Sequence, residues 1–192
     1  TIPIFTAILG WLVLRERLGW LAIVGILLAT FGVLLIVSKG NLSALANGDF
    51  GTVGDFLVLI SAVNWAIFSV LSRRGLASMP AARMMFYVML FGWLFTCVWL
   101  FGFGPGLSEI PQLSARGWGN ILVLGILGSG LAYIAWFDAL HEIPASRLSA
   151  FIYIEPLVTV IVAALWINET ISLASLIGGG IIILGVVLVN RR

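Results

Sequence analysis

From Trp20 to Val37 the chain runs for 18 residues without one charged side chain. A helix rises 1.5 Å per residue, so roughly 20 apolar residues cross the hydrocarbon layer of a bilayer. Runs of this kind recur at about 2–14, 19–37, 55–72, 84–101, 118–139, 146–167 and 171–189. Hydrocarbon offers no partner for a backbone N–H or C=O, which leaves only helices and closed barrels as spanning structures. Barrel strands would be about 10 residues long and strictly alternating. These runs are neither, so the expectation is an all-α integral membrane protein with seven visible helices. Composition agrees: 61% of the residues are hydrophobic and 9% are charged, where a soluble domain carries about a quarter charged. A net charge of +2 is too small for nucleic-acid binding, and Cys97, the single cysteine, allows no internal disulfide. No Cys/His cluster has ligand spacing, so neither a metal nor a cofactor is expected. Thr1 already stands in an apolar run, and the first helix is expected to have lost its beginning.

The last two runs repeat the first two. Subtracting 153 places Pro156 on Pro3, Thr159 on Thr6, Ile161 on Ile8, Leu165 on Leu12 and Glu169 on Glu16. It also places Gly178 on Gly25, Gly185 on Gly32, Val186 on Val33 and Leu188 on Leu35, with no gap. The two hairpins lie five spans apart, an odd number, so they should face opposite ways across the membrane. Alternate connections carry very different charge. Eight of the ten basic residues fall on one side, namely Arg15, Arg17, Arg73, Arg74, Arg83, Arg147, Arg191 and Arg192. Cytoplasmic loops are enriched in Lys and Arg, which predicts a cytoplasmic C-terminus and external loops at 38–54, 102–117 and 168–170. Oppositely oriented repeats are the signature of secondary transporters. Residues 55–192 would form one complete five-helix repeat and residues 1–37 the last two helices of another. The expected whole is ten helices in two inverted repeats, of which three helices are missing.

Several short stretches carry a family likeness. They are Gly54-Asp55 through Ser61-Ala62-Val63-Asn64-Trp65-Ala66 to Ser72-Arg73-Arg74, and Ala132-Tyr133-Ile134-Ala135-Trp136-Phe137-Asp138-Ala139-Leu140. To these add Ile154-Glu155-Pro156, the turn Asn168-Glu169-Thr170-Ile171, and Gly178-Gly179 through Gly185-Val186. In this order and spacing they make the chain resemble the EamA-type transporters of the drug/metabolite transporter superfamily. The resemblance implies a multi-pass carrier of the inner or plasma membrane, exporting small metabolites, amino acids or drugs. One departure stands out: the family's Glu-Pro pair is Ile2-Pro3 in the first copy, so only the second copy supplies a carboxylate.

Candidate site residues follow from polarity at depth. Glu155 lies about seven residues into its helix, roughly 10 Å from the interface. A charge at mid-span costs about 2.5–3.5 kcal/mol on insertion scales, so it should face the bundle interior, where it could couple protons or bind a substrate amine. A structural contact at the helix end is the competing reading. Pro156 cannot donate to the Ile152 carbonyl, and Pro3 should act likewise, so both are candidate kinks. Asn64 and Trp65 lie mid-span and could line a cavity or pack helices. Tyr133 and Trp136 share a helix face and could line a pocket or fill a core. Asp55 suits an N-cap. Glu16 and Glu169 are read as complementing the N-terminus of the second helix in each hairpin. The clusters Gly125–Gly130 and Gly178–Gly180 are read as close-packing sites.

The leading functional expectation is a secondary transporter working by alternating access, not an enzyme, since no paired catalytic groups are visible. Its partners would be the bilayer, a small-molecule solute and protons, with a homodimer also open. A non-transporting structural or helper membrane protein is the alternative, ahead of an integral-membrane enzyme.

Overall fold

The computed structural model describes residues 1–41, 53–104, 106–108 and 110–191. Most of the expected external loop 38–54 therefore lies outside the described residues. All regular structure within them is helical. The helices are α1 (Ile2–Leu14), α2 (Trp20–Val37), α3 (Val53–Leu76) and α4 (Ala81–Gly102), then α5 (Ala115–Glu142), α6 (Ala145–Trp166) and α7 (Leu173–Asn190). Six are long and apolar enough to cross a membrane, while α1, at 13 residues, is shorter. Seven spans were expected, and the first falls short of spanning length. Helix α3 starts at Val53, which puts Asp55 inside the first turn and not at the N-cap. Its side chain lies outside the described residues.

The chain divides into two compact units, 1–71 with 143–192, and 72–142. The core of the first unit is the antiparallel seam between α2 and α7. A Cβ added to Gly32 would lie 2.6 Å from the carbonyl oxygen of Gly178, and one on Gly178 would lie 2.7 Å from that of Gly32. Gly25 and Gly185 meet in the same way. Seven residues are two helical turns, so each pair of glycines shares one face. Lipid tails are as apolar as any side chain, and membrane helices associate largely through such close backbone approach. Ala29, Ile182 and Val189 fill the seam and are fully buried.

The repeat is visible in local geometry as well. Arg15 (φ 56°) and Asn168 (φ 54°) are repeat equivalents, and both take the left-handed conformation at the end of the first helix of a hairpin. Glu16 N–H donates to Gly10 O at 3.1 Å, and Glu169 N–H to Ala163 O at 3.4 Å. Each closure joins residues six apart and uses a carbonyl left over at the helix end. The hydroxyls of Thr6 and Thr159 donate to the carbonyls of Ile2 (3.0 Å) and Glu155 (2.9 Å), each the residue just before the proline.

The second unit contains the end of α3, α4 and α5. Ser114 caps α5, its hydroxyl accepting from Gly117 N–H at 3.1 Å. The Arg73 guanidinium donates to the carbonyls of Leu140 and His141, closing the C-terminal turn of α5. Residues Leu124–Leu131 of α5 are π-helical. A Cβ on Gly125 or Gly128 would meet nothing within 4 Å. Among the described residues, then, these two glycines are not in close packing, and they lie within the π-helical stretch. Gly178 and Gly179 do pack closely, whereas Gly180 faces open space.

Candidate functional site

The site residues proposed from sequence fall in both units. Helix α6 carries Glu155 and is not uniform: Ala145–Ser149 is α, Ala150–Ile154 is 3-10, and Glu155–Trp166 is α again. Pro156 is the second residue after the tightened stretch. A proline ring crowds the carbonyl four residues back and leaves it without a donor. A 3-10 turn bonds those carbonyls one residue earlier. Pro3 is buried in the first described turn of α1.

Glu155 opens the second α stretch and is exposed. It stands on a face lined entirely by α6, with Phe151, Val158, Thr159, Val162 and Trp166. Glu155 and the Thr159 hydroxyl are the polar groups of that otherwise apolar stripe. On α3, Asn64 is exposed and Trp65 half-buried, its ring 5.5 Å from that of Phe68. Neither lines the Glu155 face. In the second unit Tyr133 and Trp136 are both half-buried, and Tyr133 sits 6.4 Å from the ring of Phe137. Asp138 is exposed.

Polar contacts between distant segments escaped sequence reasoning. Thr30 on α2 and Tyr153 on α6 are hydrogen-bonded at 2.6 Å, across 123 residues of chain. The Thr30 hydroxyl donates to Ile26 O at 2.8 Å. Its one proton is thereby used, so the Tyr153 hydroxyl is the donor in the pair. Tyr153 is 4% exposed, and two residues further on lies Glu155. The only signal in sequence was a hydroxyl inside each apolar run.

The second contact corrects an expectation. Glu16 does not cap α2, whose N-cap Gly19 has no side-chain bond. Its carboxylate reaches across to α6, accepting from Ala145 N–H at 2.8 Å and Ser146 N–H at 3.1 Å, and from the Ser146 hydroxyl. A carboxylate at the positive end of a helix is favourable wherever it comes from. Here the fold delivers it from a different hairpin. Glu169, the repeat equivalent, does not cap α7 either. Ser172 does that by accepting from Ser175 N–H at 3.0 Å, and Glu169 pairs with Lys39 at 3.1 Å in solvent.

A model of the EamA-like transporter family matches residues 1–38 and 52–191. The chain belongs to the EamA-like transporter family. It is 31% identical over 186 residues to the uncharacterized transporter YyaM of Bacillus subtilis (strain 168), covering 96% of this chain and 59% of that one. An uncharacterized transporter of Archaeoglobus fulgidus is 29% identical, with 100% and 64% covered. A protein of Streptantibioticus cattleyicolor named "Probable terminal-alkyne amino-acid exporter" is 27% identical, with 99% and 61% covered. The chain thus spans about three-fifths of the length of these relatives. No solved structure matches it significantly. With several spanning helices and relatives named as transporters, it is a multi-pass membrane protein of a transporter family.

Proposed function

We propose that the protein is a secondary transporter that exports small organic metabolites, amino acids or drugs by alternating access. In this reading its architecture is ten helices in two inverted five-helix repeats. Residues 1–37 supply the last two helices of the first repeat, 38–54 an external loop, and 55–192 the second repeat. It lies in the inner or plasma membrane with its C-terminus cytoplasmic. The observation that best supports it is the reciprocal crossing of α2 and α7. Gly25 meets the equivalent of Gly32, and Gly32 meets the equivalent of Gly25. Residue i meeting j while j meets i is the mark of a two-fold relation. Between oppositely running hairpins such an axis lies in the membrane plane, the symmetry by which carriers expose one site to either side. A relative named "Probable terminal-alkyne amino-acid exporter" favours amino acids within that range of cargo.

Glu155 is the residue assigned to proton coupling or to a substrate amine, with Asn64, Trp65, Tyr133 and Trp136 as further lining residues. Pro156 and Pro3 are assigned to helix bending, and a homodimer is compatible with the same scheme. The test is flux into proteoliposomes holding the full-length protein, under a proton gradient, against a panel of amino acids, amines and drugs. At least one solute should move in a gradient-dependent way, and no movement across the panel overturns the proposal. For Glu155 the test is Glu155→Gln, which should flatten the pH profile of transport. An unchanged rate and profile would remove it from the mechanism.

A further inference from the structure

The groove on the flank of the first hairpin differs from its repeat counterpart. Between α1 and α2 lies an open groove of about 500 Å³, walled by Ile4, Ile8, Ile23 and Leu27, with Trp11 and Arg17 at the end nearest the turn. Adding 153 turns Ile26 and Leu27 into Gly179 and Gly180, Trp11 into Ala164, and Arg17 into Thr170. The second hairpin narrows its own groove, leaving at the turn end a cleft of about 80 Å³ lined by Val160, Thr170 and Ile171 with Ile36 of α2 and Lys39 just past it. Leu157 presses onto Gly179, its Cδ1 only 2.6 Å from where a Cβ would stand. Ile4, the equivalent of Leu157, cannot do this, because Ile26 carries a side chain where Gly179 has none. One hairpin is therefore narrowed by its own Leu157, while the other keeps a wider apolar trough that ends in a cation and an indole.

The charge around that end is one-sided. Arg15 and Arg17 are both exposed. The acid between them, Glu16, makes its hydrogen bonds at the N-terminus of α6 and not to either guanidinium, and the turn keeps a net positive charge. Arg191 is exposed just past the end of α7, which the antiparallel seam brings to the same end of the unit. An apolar trough that finishes at guanidinium groups complements an amphiphile with an anionic head. Trp11, 60% exposed, is the residue type that settles at headgroup level. Basic pockets between membrane helices are where anionic headgroups bind. We propose that this groove is a specific site for an anionic phospholipid. Its acyl chain would lie against Ile4, Ile8 and Leu27, and its phosphate against Arg17. A small water-soluble anion would leave the apolar floor uncovered, and a zwitterionic lipid would bring its own cation to Arg17.

The experiment reconstitutes the full-length protein in phosphatidylcholine vesicles with a minor share of phosphatidylglycerol, bromine being carried on one lipid or the other. The Trp11 share of the emission is taken as the difference between the unaltered protein and Trp11→Phe. Brominated phosphatidylglycerol should quench that share at about fivefold lower mole fraction than brominated phosphatidylcholine, the weight of one basic side chain at an anionic surface. Arg17→Gln should bring the two lipids to parity, while Arg17→Lys keeps the preference. High salt should erase it in the unaltered protein, a measurement that needs no variant to fold. Parity in the unaltered protein at low salt, or a preference that survives both Arg17→Gln and high salt, overturns the proposal.

Discussion

A Cβ added to Gly25 would stand 2.5 Å from the carbonyl oxygen of Gly185, and one added to Gly185 would stand 2.6 Å from that of Gly25. Both obstacles are backbone, which cannot rotate away. Gly185→Ala should therefore separate the helices and destabilise the protein by about 1–3 kcal/mol, the usual scale of overpacking. Gly180→Ala, in open space on the same helix, should be neutral or slightly stabilising through helix propensity. Unfolding in mixed detergent micelles checks both, and equal effects of the two substitutions would contradict the seam.

Tyr153 and Thr30 make an unequal pair. In Tyr153→Phe the Thr30 hydroxyl still has Ile26 O, so the loss should be the ordinary net value of a hydrogen bond, about 0.5–1.5 kcal/mol. Thr30→Val leaves the buried phenol without its acceptor and should cost about 1–3 kcal/mol. The double variant should be no worse than Thr30→Val alone. A double-mutant cycle in the same unfolding assay measures the order, which would be reversed if the phenol were the acceptor.

Glu16 serves two backbone donors and one hydroxyl on α6. Glu16→Ala should raise hydrogen-exchange rates at the amides of Ala145 and Ser146 and destabilise the first unit by about 1–3 kcal/mol. Glu16→Gln should fall in between, since an amide oxygen still accepts but carries no charge toward the helix end. Unaltered exchange at these two amides would show that the bonds do not persist in solution.

Glu169 occupies the equivalent place in the second hairpin and should behave differently. Its pair with Lys39 is exposed on both sides, at 74% and 53%, and exposed pairs contribute little. Glu169→Gln should change stability by less than about 0.5 kcal/mol. Whatever effect remains should vanish in high salt. A loss matching that of Glu16→Ala would mean the two turns are equivalent in energy as well as in shape.

The contrast between these glutamates separates what was legible from what was not. Helical spans, the hairpin repeat and its turns could be read directly, because they depend on local quantities. An apolar run long enough for the bilayer becomes a helix, and matching residues at a constant offset make matching turns, down to the left-handed Arg15 and Asn168. The partners of Glu16, Thr30 and Lys39 were not legible. Each lies more than 120 residues away along the chain, and hydrophobic periodicity carries no information about which helix faces which.

By itself, then, the sequence determined a helical membrane chain with a duplicated hairpin, since length, hydropathy and offset are properties of single segments. Only the tertiary structure decided how the duplicate is used. It set glycine against glycine across the α2–α7 seam, and it sent Glu16 to cap another hairpin's helix. It pressed Leu157 into one flank groove and left the other wider beside Arg17. The physical reason is common to all three. Packing and capping depend on which surfaces meet, and a single side chain at Ile26, absent at Gly179, changes what a groove can hold.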